Sequence, residues 1–334
     1  MSHNKRQAQL QNWLTTVFGS RVVDFRPASN DASFRRYFRL NVGSDTYVVM
    51  DAPPDKEDTT PFLRIARRFY DIGLNVPRIV ETDTENGFLV MTDLGTEDYL
   101  SNLKHETVER FYGDALDALV VLQTATLVEP DFLPDYSEVL LRQEMELFRE
   151  WYLGKHLSIS LNAGQHTVLD NIFSALVESA REQPRVWVHR DYHSRNLMVT
   201  KKNNPGILDF QDAVLGPVTY DLVSLLRDCY IRWPRRQVQA WVAGYHQLSR
   251  HSGIPVCDDE QQFTGWFDRM GVQRHLKACG IFARLCHRDG KTGYLDDIPR
   301  TLGYIMQVCH ATPELLPLAH LIEECEAPYE VTDE

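Results

Sequence analysis

His189-Arg190-Asp191-Tyr192-His193-Ser194-Arg195-Asn196 is followed closely by Leu208-Asp209-Phe210-Gln211-Asp212. The apolar run Val186–Val188 leads into the first segment. Two short β-type runs, Leu197–Val199 and Gly206–Leu208, are joined by the turn Lys201–Pro205 and separate the first segment from the second. Such a hairpin would return Asp209 towards Asn196, so that sequence spacing becomes a three-point site. Transfer of a phosphoryl group needs little covalent chemistry from a protein: an acceptor hydroxyl held in line, metal on the phosphates, and neutralisation of charge in a loose transition state. Asp191 is the expected catalytic base, orienting that hydroxyl and accepting its proton. Asn196 and Asp209 supply the hard oxygen ligands that magnesium prefers. His189 is expected to brace the loop, and His193 to be a second brace or a neighbour of phosphate. Any one Asp or Asn in a loop is more often a turn or cap residue. The ordered set, flanked by β-type runs, carries the reading.

The 334 residues, 43% apolar and 25% charged, have the make-up of a soluble globular protein, long enough for one large domain or two ordinary ones. A net charge of −12 argues against nonspecific nucleic-acid binding, which needs a basic face. It leaves room for an anionic substrate held by a local arginine cluster. Six scattered cysteines with no C-x-x-C pair argue against a disulfide framework or a zinc site and suit a cytoplasmic location. The N-terminus has no apolar signal-peptide core, and no stretch approaches the ~20 apolar residues of a membrane span. Neither a membrane nor a protein partner is expected.

Leu10, Trp13, Leu14, Val17 and Phe18 recur at helical spacing. Strands are predicted at Val22–Phe25, Tyr37–Leu40 and Tyr47–Met50, the last two around the turn Asn41–Asp45. A helix is predicted over Thr60–Ile72 with Phe62, Ile65, Ala66, Phe69 and Ile72 on one face, then strands at Arg78–Glu81 and Gly87–Met91. Residues 1–94 thus read as a small sheet with one crossing helix. Residues 95–334 read as mainly helical: Glu106–Leu127, Ser137–Leu153, Gln165–Arg181, and almost everything from Pro217 to about residue 324, before an acidic tail. The fold class is α+β, with a small N-terminal nucleotide-binding sheet lobe and a larger catalytic and acceptor-binding lobe.

The pattern H-x-D-x-H-x-x-N followed by an I/L-D-F segment resembles that of the aminoglycoside phosphotransferase and choline kinase superfamily. It is also similar to the protein-kinase H-R-D…N and D-F-G pair, with Gln211 where the Gly would stand. Tyr220–Leu226 (YDLVSLL) resembles the superfamily's next segment, in which an Asp, here Asp221, opens a helix and supports the catalytic loop. The resemblance implies the protein-kinase-like two-lobed fold and ATP and Mg2+ as co-substrate and metal. Within the superfamily, Ser29–Arg39 (SNDASFRRYFR), Val49–Pro54 (VMDAPP), Met91–Gly95 (MTDLG) and Leu208–Ala213 (LDFQDA) are similar to the bacterial cell-wall recycling kinases that phosphorylate the anomeric hydroxyl of N-acetylmuramate and N-acetylglucosamine.

The resemblance also implies a phosphate-covering hairpin loop at Ser29–Arg36. Asn30, Ser33, Arg35 and Arg36 could contact phosphate there; the alternative is a solvent-facing basic hairpin. Met91 and Asp93 fall on the hinge that holds adenine, with Val48 and Phe88 as further walls. The third strand should carry a Lys that pairs with phosphates and with a helix Glu, yet Tyr47–Asp51 has no Lys and Thr60–Ile72 no Glu. Lys56 or the loop arginines would replace that charge, or Asp51 pairs with Arg64 or Arg67 and the phosphates rest on metal. On the acceptor side, Gln211 and Asp212 are placed to meet sugar hydroxyls. Arg227, Arg232, Arg235 and Arg236, just beyond the metal segment, and Arg274, His275 and Lys277, on a later helix, are the candidates to hold a carboxylate, with Arg227 as the expected acceptor-binding residue. Competing readings are a kinase of another small alcohol, such as an aminoglycoside, choline or homoserine, and an ATP-binding pseudokinase without turnover.

Overall fold

Gly43 holds φ at +63°, a conformation open to glycine without steric penalty, and closes a two-residue turn that pairs Val42 with Asp45. From this hairpin grows an antiparallel sheet of β1 (Val22–Ser29), β2 (Arg36–Val42), β3 (Asp45–Asp51), β4 (Ile79–Asp83) and β5 (Phe88–Thr92), in the order β1-β2-β3-β5-β4. The computed structural model describes residues 3–19, 22–29 and 34–330. They fall into two units: 1–98 with 197–212, and 99–196 with 213–334. Residues 331–334 of the predicted acidic tail lie outside the described residues.

In the first unit, α1 (His3–Phe18) carries Leu10, Leu14 and Phe18 on one face. That face is buried with Phe38, Leu40, Val42, Val49, Phe88 and Val90. Their strand neighbours Met50, Leu89 and Met91 point to the opposite side and are buried as well, so the central strands are covered on both faces. Helix α2 (Thr60–Asp71) buries Phe62, Ile65, Ala66 and Phe69, the face that the helical spacing predicts. β1 runs four and β2 and β3 each three residues longer than their sequence pattern, because the β2–β3 ladder continues past the apolar positions from Val42–Asp45 to Arg36–Asp51.

The hairpin of residues 197–207 belongs to this unit. Leu197 pairs with Ile207 and Met198 with Gly206. Val199 N–H donates to Glu97 O (2.7 Å) and Ile207 N–H to Asn75 O (2.8 Å). Phe210 then packs its ring against Phe62 and Phe69 of α2, at centroid distances of 5.0 and 5.8 Å.

The second unit is helical: α3 (Tyr99–Asn102), α4 (Val108–Thr124), α5 (Glu138–Leu147, continued by a π-helical stretch Phe148–His156), α6 (Ala163–Glu182), α7 (Tyr220–Leu226), α8 (Arg235–His251), α9 (Glu260–Asp289), α10 (Ile298–Ala311) and α11 (Leu316–Glu324). Local signals fix several ends. Asn162 and Gln165 form a capping box at α6, and Ser137 Oγ accepts from Leu140 N–H at α5. A short antiparallel pair, Arg185–Val188 with Val214–Pro217, includes a strand that the sequence pattern does not signal. The long helix α9 packs against α5, the π-helical stretch, α6, α7 and α10, and every residue from Met270 to Lys277 is buried.

Gly280 lets α9 approach the end of α5. A Cβ there would stand 2.3 Å from the carbonyl carbon of Leu147 and 2.5 Å from its oxygen. Neither backbone atom can move alone, so Gly280→Ala is expected to destabilise the protein by roughly 1–3 kcal/mol or more, read as an earlier urea midpoint. An unchanged midpoint would mean that the two helices are not locked at this distance.

Candidate active site

Burial of the Asp221 carboxyl at the start of α7 organises the loop that follows Val188. Asp221 Oδ2 accepts from His189 N–H (2.6 Å) and Oδ1 from Arg190 N–H (3.0 Å). Burial pushes this carboxyl up to about 7, against the two N–H groups that favour its charged form. Asp228 does the same further along, accepting from Ser194 N–H and Tyr230 N–H at 2.9 Å each. Arg190 is left at φ +76°, a conformation costing about 1–3 kcal/mol that surroundings must enforce. Asp191 N–H meets His189 Nδ1 at 3.3 Å, which puts the imidazole proton on Nε2. Asn196 Nδ2 donates to Asp191 O (3.0 Å), so the side-chain oxygen is turned to the other side, where a hard cation could take it.

Asp191 lines a cavity of about 80 Å³ with His193, Tyr220, Cys229, Tyr230, Arg274, Lys277, Ala278, Ile281 and Phe282. Burial would raise the Asp191 carboxyl, but Lys277, His193, Arg274 and His189 outweigh it and hold the group below the ordinary carboxylate range. Asp191 is therefore an anion at neutral pH, an acceptor only. His193 is the reverse case: burial lowers it despite Asp228 and Asp191 nearby, so its ring is neutral, edge-on to Tyr230.

Beneath this cavity lies a buried ionic cluster that the sequence does not announce. Glu144 of α5, 5% exposed, pairs with Lys277 Nζ (3.0 Å) and with Arg190. It accepts from the Tyr136 hydroxyl and, at 3.4 Å, from Gln273 Nε2. Lys277 also donates to the Tyr220 hydroxyl (3.0 Å). Charged side chains are almost never buried unless paired, and here the pairing ties the Arg190 side chain to α5 and α9.

Asp209, in the first unit, is held at φ +64°, the second non-glycine residue of the motif in the left-handed region. Gln211 Nε2 donates to its Oδ1 at 2.8 Å. Gln211 Nε2 thus orients the Asp209 carboxylate, while among the described residues its Oε1 has no hydrogen-bond partner; Asp212 is exposed. The missing third-strand Lys has a structural counterpart. Asp51 is fully buried and accepts from Arg6 Nε (2.6 Å) and Arg36 Nε (3.0 Å). The expected pairing of Asp51 with Arg64 or Arg67 is thus corrected: Arg36 stands directly opposite Asp51 in the ladder, and α1 brings Arg6 from the other side. Arg36 is committed to Asp51, and Arg35 donates to Glu57 (3.1 Å). Lys56 is exposed, with its ammonium 5.5 Å from the Phe34 ring centroid. Asn30 and Ser33 lie outside the described residues.

Asp93 is clamped by Arg39 through Nε (2.6 Å) and Nη2 (3.0 Å) and accepts from Gly95 N–H (2.9 Å). Its side chain fixes the strand exit. Val48 pairs with Met91. Arg227 does not share the Asp191 cavity. Its Nη2 donates to Asp268 Oδ1 at 2.5 Å, its guanidinium stacks on Phe267, and it lines a separate cavity with His105, Arg232 and Trp233. Arg274 and Lys277 line the Asp191 cavity. Charged positions inside a helix are more often solvated, and only the tertiary fold shows that α9 is buried on this side.

A sequence profile described as the phosphotransferase enzyme family matches residues 24–258. A protein of Pseudomonas putida named N-acetylmuramate/N-acetylglucosamine kinase is 43% identical, covering 97% of this chain and 98% of its own. A protein of the same name from Pseudomonas aeruginosa is 44% identical, covering 96% and 97%. Among solved structures, choline kinase LicA from Streptococcus pneumoniae matches with TM-score 0.61 at 12% identity, over 91% of this chain and 99% of its own. The ADP-bound aminoglycoside phosphotransferase APH(2'')-Ib matches with TM-score 0.58 at 14% identity, over 89% and 97%. These two likenesses show the fold.

Proposed function

This chain belongs to the phosphotransferase enzyme family, and from that premise we propose that it is an ATP- and magnesium-dependent sugar kinase acting on the anomeric hydroxyl of N-acetylmuramate and N-acetylglucosamine. The observation that carries the chemistry is Asp191, an anion at the wall of a cavity whose loop is fixed by Asp221 and Asp228 through backbone hydrogen bonds. The names of the two full-length relatives support the acceptor class.

Asp191 would accept a hydrogen bond from the acceptor hydroxyl, aim its oxygen at the γ-phosphorus of ATP, and take the proton as the bond to phosphorus forms and the bond to ADP breaks. A carboxylate held this acidic is a weak base, which suits a loose transition state in which orientation matters more than early proton removal. The residues fit magnesium. Asn196 presents an amide oxygen because its nitrogen is committed to Asp191 O, and Asp209 presents a carboxylate steadied by Gln211. Among the described residues no group of three His, Cys, Asp or Glu could hold a metal alone, so phosphate oxygens and water would complete the shell, as magnesium prefers. Bound there, magnesium would neutralise phosphate charge. The backbone beside Asp93 and the apolar Val48 and Met91 would receive adenine. Lys56 is exposed beside the Phe34 ring, and its role towards phosphate would be to supply the charge that the third strand lacks.

The direct test is ADP release from ATP and magnesium with N-acetylmuramate, N-acetylglucosamine, an aminoglycoside, choline or no acceptor. Release with the two amino sugars alone, giving an acid-labile phosphate, is the expected result. Release only with choline or an aminoglycoside would overturn the acceptor assignment. Asp209→Ala is expected to lower kcat by at least about 100-fold and to flatten the magnesium dependence of what remains. A variant stimulated by magnesium as the parent is would remove Asp209 from the metal.

A further inference from the structure

Two arginines of the second unit are buried to less than a tenth of their surface, Arg227 at 8% and Arg274 at 6% exposed. Arg227 has the Asp268 carboxylate as its partner. Arg274 has no ion pair: its hydrogen bond is a long one of 3.7 Å to Cys229 Sγ, and its Nε is buried without a partner. Asp191 and Asp228 act on it only through space, and both Asp228 oxygens are taken by backbone N–H groups. Removing a guanidinium from water costs several kcal/mol unless an anion and hydrogen bonds return it, and a buried polar group left without a partner needs an explanation.

The explanation lies in the cavity that Arg274 lines with Asp191. At about 80 Å³ it is smaller than the ~150 Å³ space that accommodates benzene. It admits a substituent rather than a sugar ring. Lys277 is the other cation on its wall, but Glu144 and the Tyr220 hydroxyl already engage its ammonium. Arg274 is the group there with donors to spare, and a guanidinium matches the two oxygens of a carboxylate. N-acetylmuramate differs from N-acetylglucosamine in one substituent, a lactyl ether ending in a carboxylate.

We propose that Arg274 is the receptor for the acceptor's carboxylate, and so the residue that sets preference for the acidic over the neutral amino sugar. This rests on the sugar-kinase reading above. The neutral sugar has no carboxylate for the guanidinium to bind. It meets the same Asp191 and is phosphorylated by the same machinery.

The experiment is Arg274→Met, with kcat/KM measured for both sugars at saturating ATP and magnesium. The value for N-acetylmuramate is expected to fall about 10- to 100-fold further than that for N-acetylglucosamine, the worth of charge-assisted hydrogen bonds, because any effect of the lost charge on Asp191 is common to both sugars. Arg274→Lys, a point charge without the planar fork, should fall between. Equal losses on the two sugars, or no loss on either, would overturn the proposal. Should Arg274→Met not fold, the unaltered enzyme decides. N-acetylmuramate with its carboxyl converted to a primary amide should be poorer by the same factor, and an amide as good as the acid would overturn the assignment. Failure of the underlying reading is seen separately, as an unaltered protein that phosphorylates neither sugar.

Discussion

Asp191→Asn is expected to lower kcat by about 10³-fold, within the range that removal of a positioned general base produces, while the Kd for ATP changes by less than about threefold. Asparagine keeps the size of the side chain and one oxygen that can accept from the acceptor hydroxyl, but it cannot take the proton. It also leaves Lys277 and Arg274 facing a neutral group, where the structure has them holding an anion. ATP affinity should survive because the groups proposed to receive adenine, Val48, Met91 and the backbone beside Asp93, are unaltered. Rapid-quench measurement of the first turnover separates the chemical step from product release. A first turnover within tenfold of the parent rate would remove Asp191 from the chemistry. A matching loss of ATP affinity would instead mean that the whole loop had been displaced from Asp221 and Asp228.

The part of the site that could be read in advance is the part built by local geometry. The hairpin between the loop His189–Asn196 and the segment at Asp209 is one such part, because its turn and strands are written in adjacent residues. The buried face of α2 and that of α1 were legible for the same reason, since helical periodicity places Phe62, Ile65 and Phe69, or Leu10 and Leu14, on one side. What could not be read depends on partners far along the chain. Glu144 meets Lys277 across more than a hundred residues, and Asp51 meets Arg6 from a different element. A charged pair in a helix looks identical in sequence whether it faces water or a cavity, so the sequence does not separate Arg274 and Lys277, which line the Asp191 cavity, from Arg227, which the fold turns towards Asp268. The return of residues 197–212 to the first unit has the same origin: Phe210 is apolar in any environment, and only the fold shows that Phe62 and Phe69 receive it. The strand Val214–Pro217 was hidden by its Gly and Pro, which lower strand propensity although its pairing with Arg185–Val188 is regular.

Glu144→Ala should be the most destabilising single change near the site. It strips the buried cations Arg190 and Lys277 of their shared carboxylate and the Tyr136 hydroxyl of its acceptor. Breaking a buried pair from one side costs about 3–5 kcal/mol, which would lower the unfolding midpoint by roughly 4–7 °C. Glu144→Gln, which keeps the shape and two acceptor lone pairs, should cost less. Burial alone would raise the Glu144 carboxyl, but Lys277, Arg190 and the Tyr136 hydroxyl overcome it and hold the group below its ordinary range. The sign of the pH effect follows from that depression. Stability contributed by a carboxyl whose folded pKa is depressed is fully present above the unfolded value, about 4.3 for Glu, and is lost as pH falls through the folded value. The stability gap between the parent and Glu144→Ala should therefore be constant from about pH 5 upwards and should narrow in more acidic solution. Urea titrations at pH 7, 5 and 3.5 measure it. A gap as wide at pH 3.5 as at pH 7 would mean that Glu144 stabilises the fold by its packing and not by its charge, and the account of Arg190 as a side chain anchored by an ion pair would fall with it.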